Sequence, residues 1–253
     1  MDMDISHILA DWAHKHGQVT ARRIRGRDGQ EKIQLRLDMG ILQMEASGRP
    51  DGQRPHGHES LLAYHEYRLQ RHRQDHDDRD EGFDLDEADC ELLRAEGAMY
   101  YHRYLAEFVL GEYEAVERDT MRNLRLMDFC RRYAREDSDR YVLEQYRAYV
   151  IMMCTRARAH VAMDASRPKA ALAAVRKGIR QIEEFLEEFG VRGQAEQSGE
   201  LAVLRALEKE VEAKVPVDPV QRLREHLAEA VQAEQYERAA ELRDQLRCLT
   251  GED

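Results

Sequence analysis

The chain has 253 residues, 42% hydrophobic and 35% charged, and its 50 acidic side chains outnumber 39 lysines and arginines to give a formal net charge of −11. This length admits one or two packed domains plus a small appendage, and the charged fraction points to long solvated helices. The negative balance argues against a protein whose main contact is a phosphate backbone, which requires a basic footprint.

The four cysteines, Cys90, Cys130, Cys154 and Cys248, stand alone. With no C-x-x-C pair, zinc-ribbon spacing is absent, and the expectation is idle or buried thiols in a reducing cytosol. The opening "MDMDISHILADW" is acidic and polar where a signal peptide is basic and then apolar. No apolar run approaches the ~20 residues that span a bilayer. The expected location is cytoplasmic, without membrane attachment.

In chain order, Asp4 to Trp12 has the pattern of a short helix. "KIQLRLD" then alternates strictly, with Ile33, Leu35 and Leu37 on one face and Gln34, Arg36 and Asp38 on the other. A period of two predicts a half-buried antiparallel strand. Asp28-Gly29 before it marks a tight hairpin turn, and Leu42 and Met44 resume the alternation after Gly40. "SGRPDGQRPHG" is loop chemistry and ends this small meander. Arg22, Arg23, Arg25 and Arg27 form a basic flank, read as strand-edge charges that discourage aggregation.

From His58 the period becomes helical. "ESLLAYHEYRLQRHR" is amphipathic, and "QDHDDRDEGFD" is polar enough to predict an exposed loop. Between Asp75 and Glu91 ten acids accompany one arginine, which fits a solvated acidic surface with helix-start carboxylates. Residues 85 to 214 predict four or five antiparallel helices joined by short loops. Leu172, Val175, Ile179, Ile182, Leu186 and Phe189 lay an apolar stripe along one of them, with Gly190 as its C-cap. Leu201, Leu204, Leu207, Val211 and Val215 repeat the pattern. "YVIMMC", Tyr149 to Cys154, is apolar all round and belongs in a buried central helix. Tyr100, Tyr101, Tyr104 and Tyr113 are read as helix-packing aromatics, with a peptide groove as the alternative.

Two joints resemble the tetratricopeptide repeat. Gly111, Tyr113 and Val116 occupy one, and Ala159, Pro168 and Ala171 occupy the other. Their separation of about 55 residues exceeds the repeat period of about 34, so simple helical hairpins remain the alternative.

"KVPVDP" is a linker, with Pro219 suited to the first turn of a following helix. Val220, Leu223, Leu227 and Val231 line one face of that helix. Ala239, Leu242, Leu246 and Leu249 line a second, with "AEQY" as the turn. Ala239 and Ala240 are small enough for close approach, and Glu234 and Arg238 are spaced to assist a helix start. An isolated hairpin of some 30 residues lies below the ~40 at which domains stand alone. Its apolar stripe therefore requires a second surface: the protein's own bundle, a second copy, or another protein.

"LAEAVQAEQYERAAELRDQLRCL" resembles the UVR motif, the helical hairpin of the excision-repair proteins UvrB and UvrC, found also in the stress-protease regulator McsA and in ClpC-type chaperones. The resemblance rests on Ala230, Tyr236, Glu237, Ala239, Ala240, Leu242, Arg243, Asp244, Leu246 and Leu249, and it covers about 30 to 35 residues. It implies a pairing device in which two hairpins dock side by side. The partner-binding residues it designates, together with the apolar stripe, are Leu223, Leu227, Val231, Tyr236, Ala239, Leu242, Arg243, Asp244 and Leu246. The rest of the chain lacks the phosphate loop of UvrB and the cysteine pairs of McsA. Residues 28 to 57 resemble the N-terminal part of poorly characterised bacterial UVR-motif proteins.

His56, His58, His65, His72 and His76, with Asp75, Asp77 and Asp78, form the one conspicuous ligand cluster. They lie in the least packable run, and no metal site is expected. No Glu-x-x-His pair, G-x-S-x-G or Gly-rich phosphate loop occurs. The expectation is an α+β protein, mostly α: residues 1–57 a β-meander module, 58–215 a tetratricopeptide-like helical bundle, and 216–253 a UVR hairpin. Its expected role is a non-enzymatic adaptor without cofactor, catalytic residue or metal. Its partner is a protein, either another UVR-motif protein or a second copy. Binding of nucleic acid is disfavoured, because the tail from Pro219 carries five arginines and eight acids. Two alternatives stand beside it: an accessory factor of nucleotide-excision repair contacting DNA or the repair nuclease, and a metal-dependent hydrolase using His72 and His76.

Overall fold

A computed structural model describes residues 4–190, 198–216 and 219–250. A short helix α1 (Ser6–Ala10) precedes three strands, β1 (Thr20–Arg25), β2 (Glu31–Leu37) and β3 (Gly40–Glu45). Helices α2 (Leu61–Asp75), α3 (Glu87–Leu110), α4 (Tyr113–Tyr133), α5 (Asp137–Tyr141), α6 (Arg147–Asp164), α7 (Pro168–Glu188), α8 (Gly199–Glu212), α9 (Pro219–Gln232) and α10 (Tyr236–Thr250) follow. The protein is thus mostly α with a small β part. Its contacts divide it into two compact units, residues 1–209 and 210–253. Of the linker read over residues 214–219, Val217 and Asp218 lie outside the described residues.

The strands form one antiparallel sheet in the order β1-β2-β3, with Ile33 facing Arg23 on one side and Met44 on the other. The β1–β2 connection turns through Gly29 at φ +78°, closed by the Gly26 N–H donating to Gln30 O at 2.8 Å. Ile33, Leu35 and Met44 are buried against Ala106 of α3. Leu37 departs from its expected place: it is 42% exposed, because it pairs with Gly40 where the β2–β3 ladder ends. The opposite face departs too, since Lys32, Gln34 and Arg36 are buried. Lys32 pairs with Asp28 and Glu45, and Gln34 bonds Arg22 and Gln43. Arg36 donates to the Leu37 and Gly40 carbonyls, and Trp12 lies 4.2 Å over Arg22. Paired heads allow long stems to cover one another, which alternation alone does not reveal.

Helices α3 and α4 form one antiparallel hairpin, α6 and α7 another, and α4 packs on α6. Asp86 caps α3 by accepting from the Asp89 N–H at 2.8 Å. Gly111 ends it at φ +76°, where the Glu112 N–H reaches Glu107 O at 2.9 Å and the Gly111 N–H reaches Phe108 O at 3.1 Å. The α6–α7 turn repeats these bonds: Arg167 N–H to Ala162 O and Ser166 N–H to Met163 O, both 2.8 Å, with Ser166 at φ +57°. This pair of bonds closes a helix end on a left-handed residue. Val116, Ala159 and Ala171 beside the two turns are fully buried.

Val150 to Cys154 are all buried in α6, as their unbroken apolar run requires. On α7 the buried stripe is Ala171, Val175, Gly178, Ile179 and Ile182, whereas Phe189 at its end is 36% exposed. A Cβ at Gly178 would stand 2.1 Å from Thr155 Oγ1, so glycine is what lets α6 and α7 meet here. Leu201 and Leu204 of α8 are fully buried, and Arg176–Glu208 and Glu183–Arg205 join it to α7.

The acidic segment before α3 is exposed over most of residues 74–84, as its polarity implied, yet it is anchored at its end. Leu85 is fully buried and exchanges backbone bonds with Tyr133 O and Arg135 N at 2.8 and 2.9 Å. Phe83 packs edge-on against Tyr133 and Phe129. Asp80 accepts from Arg73, Arg132 and Tyr133, and Asp84 pairs with Arg135. Three of these partners lie about 50 residues away, so a local charge count missed them.

Candidate functional site

From Pro219 onward the second unit is a hairpin of two helices and one turn. Pro219 begins α9, where its missing N–H costs nothing. At the other end Glu234 takes φ +57°, with the Gln235 N–H bonded to Ala230 O at 2.8 Å and the Glu234 N–H to Val231 O at 3.1 Å. These are the bonds made around Gly111 and Ser166. The turn removes Glu234 from α10, so it does not act as the helical partner of Arg238 that their spacing implied. Glu237 in the first turn of α10 and Arg247 in the last oppose the helix dipole favourably.

Within the hairpin Ala230 and Ala239 are buried, at 4% and 8% exposure, so two small residues set the closest approach of the helices. Leu223, Leu227, Leu242 and Leu246 are half-buried. Val231 and Tyr236, flanking the turn, are 53% and 69% exposed, and Leu249 is 58% exposed. Arg243 and Asp244 are exposed and hydrogen-bonded to each other at 3.2 Å. The designated residues therefore divide: Ala239 is buried, the four leucines are half-buried, and Val231, Tyr236, Arg243 and Asp244 face solvent. The side chain of Cys248 lies outside the described residues.

Elsewhere, the histidines between residues 56 and 76 stack on aromatic rings or hydrogen-bond within their own segment. His56 stacks on Tyr64 at 4.1 Å, and His58 lies 5.0 Å from Tyr67. His65 is buried beside Asp89 and Arg68, and burial lowers its pKa. His72 and His76 stack at 4.0 Å, their ring nitrogens bonded to Glu81 O and His72 O. Among the described residues no three His, Cys, Asp or Glu side chains are grouped to hold a metal ion. Cys90, Cys130 and Cys154 are free and buried.

One polar cluster was not anticipated. The buried stripe of α3 reads Leu93, Glu96, Tyr100, Arg103 and Glu107, with charges at core spacing. Arg103, 1% exposed, bonds Asp119 through Nε at 2.6 Å and Nη2 at 2.9 Å, and reaches Glu45 O and Gly48 O through Nη1. It thereby fastens the end of β3 to α3. Glu96 accepts from the Leu61 and Leu62 N–H groups at the start of α2 and pairs with Arg122. The guanidinium groups of Arg103 and Arg122 lie 4.8 and 4.0 Å from the Tyr100 ring. Glu107 accepts from Arg118 at 2.8 Å through Oε1, while its buried Oε2 has no hydrogen-bond partner. Burial, followed by the charge of Asp119, pushes the Glu107 carboxyl up to about 8. The available signal was the alternation of opposite charges on one helical stripe. These interactions hold α2, α4 and the end of β3 against α3.

No described helix is long and apolar enough to cross a membrane. The family model described as the UvrB/uvrC motif matches residues 219–249, the hairpin α9–α10. That motif is known from nucleotide-excision-repair proteins and mediates protein interactions. No curated protein and no solved structure matches the chain.

Proposed function

We propose that the protein is a non-enzymatic cytoplasmic adaptor whose C-terminal hairpin binds a protein partner. The observation that carries this reading is the exposure of Tyr236 and Val231 at the turn of a UVR motif. A tyrosine with most of its ring in water contributes little to its own unit, yet it is the kind of side chain that anchors an interface. Ala230 and Ala239 are buried within the hairpin, and the hairpin itself does not cover Val231, Tyr236 or Leu249. A second UVR-bearing protein, or a second copy of this chain, presents the matching half-buried leucines and is the partner class proposed. In this reading the first unit, with its tetratricopeptide-like hairpins, carries whatever the hairpin delivers to the partner.

The test is recovery of bound proteins from the native cell with the full chain and with Tyr236→Ala, alongside light scattering. Loss of a specific partner, or of dimers, without a change in melting temperature supports the adaptor. Equal recovery and equal mass for both proteins overturn it.

A further inference from the structure

The first unit contains a cavity of about 660 Å3 between α3, α4, α6 and the segment 142–146. We infer that this cavity binds an uncharged, largely apolar aromatic small molecule. Its size falls in the range of about 300–1,000 Å3 typical of small-molecule sites. Leu126, Met127, Leu143 and Val150 supply apolar wall, and Tyr101, Tyr104, Tyr146 and Tyr149 supply ring faces and edges.

Two further observations point to an occupant. Tyr101, Val142 and Tyr146 at the cavity are 36%, 37% and 53% exposed, so three of the larger solvent-facing apolar side chains gather at one opening. Gly97, which also lines it, sits inside α3, where glycine costs about 1 kcal/mol relative to alanine. Nothing local demands glycine there. Its φ is not positive, and an added Cβ would meet Leu126 at 3.8 Å and Asn123 Oδ1 at 4.0 Å, ordinary contacts. The missing side chain keeps space open.

Charge and hydrogen bonding define the ligand. The cation lining the cavity, Arg94, is already paired with Asp139, so an ionised ligand would lose its hydration without finding a free counter-charge. Gln145 donates to the Val142 carbonyl at 2.8 Å, which leaves its own carbonyl to accept from the ligand. Asn123 donates to Gly97 O at 2.9 Å and holds the polar end of the wall in place. A neutral one- or two-ring aromatic carrying an N–H or O–H donor satisfies this lining.

The probe is N-phenyl-1-naphthylamine, neutral with one N–H, and its anionic counterpart is 8-anilinonaphthalene-1-sulfonate. Fluorescence titration of the full chain is expected to give one saturable site for the neutral probe. The sulfonate should bind at least about tenfold more weakly. Gly97→Leu fills the cavity and should weaken the neutral probe by more than about tenfold, with the melting temperature unchanged or raised. Ala98→Leu, also lining the cavity, gives the same reading if Gly97→Leu does not fold. The inference is overturned by absence of saturable binding, by equal binding to the folded filled variants, or by tighter binding of the sulfonate. Probe binding that disappears as the protein self-associates would assign the cavity to a second copy and also overturn it.

Discussion

The hairpins α3–α4 and α9–α10 reverse the chain with the same device. Gly111 and Glu234 both take left-handed φ, and both turns are closed by the same two backbone bonds. Even the following residues correspond: Tyr113 with Tyr236, Glu114 with Glu237, Val116 with Ala239. Their surroundings differ. Tyr113 stacks on His160 at 4.2 Å and touches Phe108, and Val116 is fully buried. Tyr236, two residues past its own left-handed turn, is 69% exposed. One local structure thus meets two environments. Inside the bundle the turn delivers its aromatic to Phe108 and His160, whereas in the C-terminal hairpin the corresponding ring stands mostly in solvent. The turn chemistry is local, but what the turn is for depends on what packs over it.

The largest expected effect comes from putting a charge into the bundle hairpin. Val116→Asp buries a carboxylate without a partner and should cost about 4 kcal/mol or more, unfolding the first unit at ordinary temperature. Near-native melting of that variant would show that the two hairpins differ less than their burial implies.

The pH dependence should also belong to the bundle. The Glu107 carboxyl lies at about 8 when folded and near 4.5 when free, so the folded state holds the extra proton. Its contribution is fully present below about pH 4.5 and is lost as pH rises through about 8, amounting to a few kcal/mol. Arg103, Arg118 and Asp119 are the charged groups facing it. Denaturant unfolding between pH 5 and 9 should show this decline, and Glu107→Gln should flatten it; an equal decline in the variant places its origin elsewhere.

The two tyrosines give the most direct comparison. Tyr113→Ala should destabilise by about 2–3 kcal/mol, since it removes a ring packed against two others. Tyr236→Ala should change stability by less than about 0.5 kcal/mol while weakening partner association by about 2 kcal/mol, roughly thirtyfold. Calorimetry and a binding titration on the same two proteins separate these outcomes, and a matching loss of stability in both would remove the distinction.

The smallest effect concerns the turns themselves. Glu234 occupies a conformation that favours glycine, so Glu234→Gly should stabilise the C-terminal hairpin by about 1 kcal/mol, and Gly111→Ala should cost the bundle about as much. Amide exchange of α9 and α10 should slow by about fivefold in the first variant.

Much of this protein was legible from local pattern. The alternation of "KIQLRLD" located β2, the run Tyr149 to Cys154 located the buried helix, and the stripe from Val175 to Ile182 located the inner face of α7. Each is a matter of period, and period is set by backbone geometry within one element. The hairpin motif was legible for the same reason, because its small residues, turn and leucine spacing are all local. What tertiary structure decided is where charge goes and where apolar surface stays uncovered. Asp80 finds Arg132, Arg103 finds Asp119 and the Gly48 carbonyl, and Lys32 is buried beside Glu45 of the next strand, all by contacts between separate segments. A buried ion pair and a solvated one look alike in sequence, since the residue types are the same and only the partner's approach removes the water. The same holds for Tyr113 and Tyr236: their local sequences agree, but Phe108 and His160 of its own unit pack on Tyr113, whereas the hairpin leaves Tyr236 exposed.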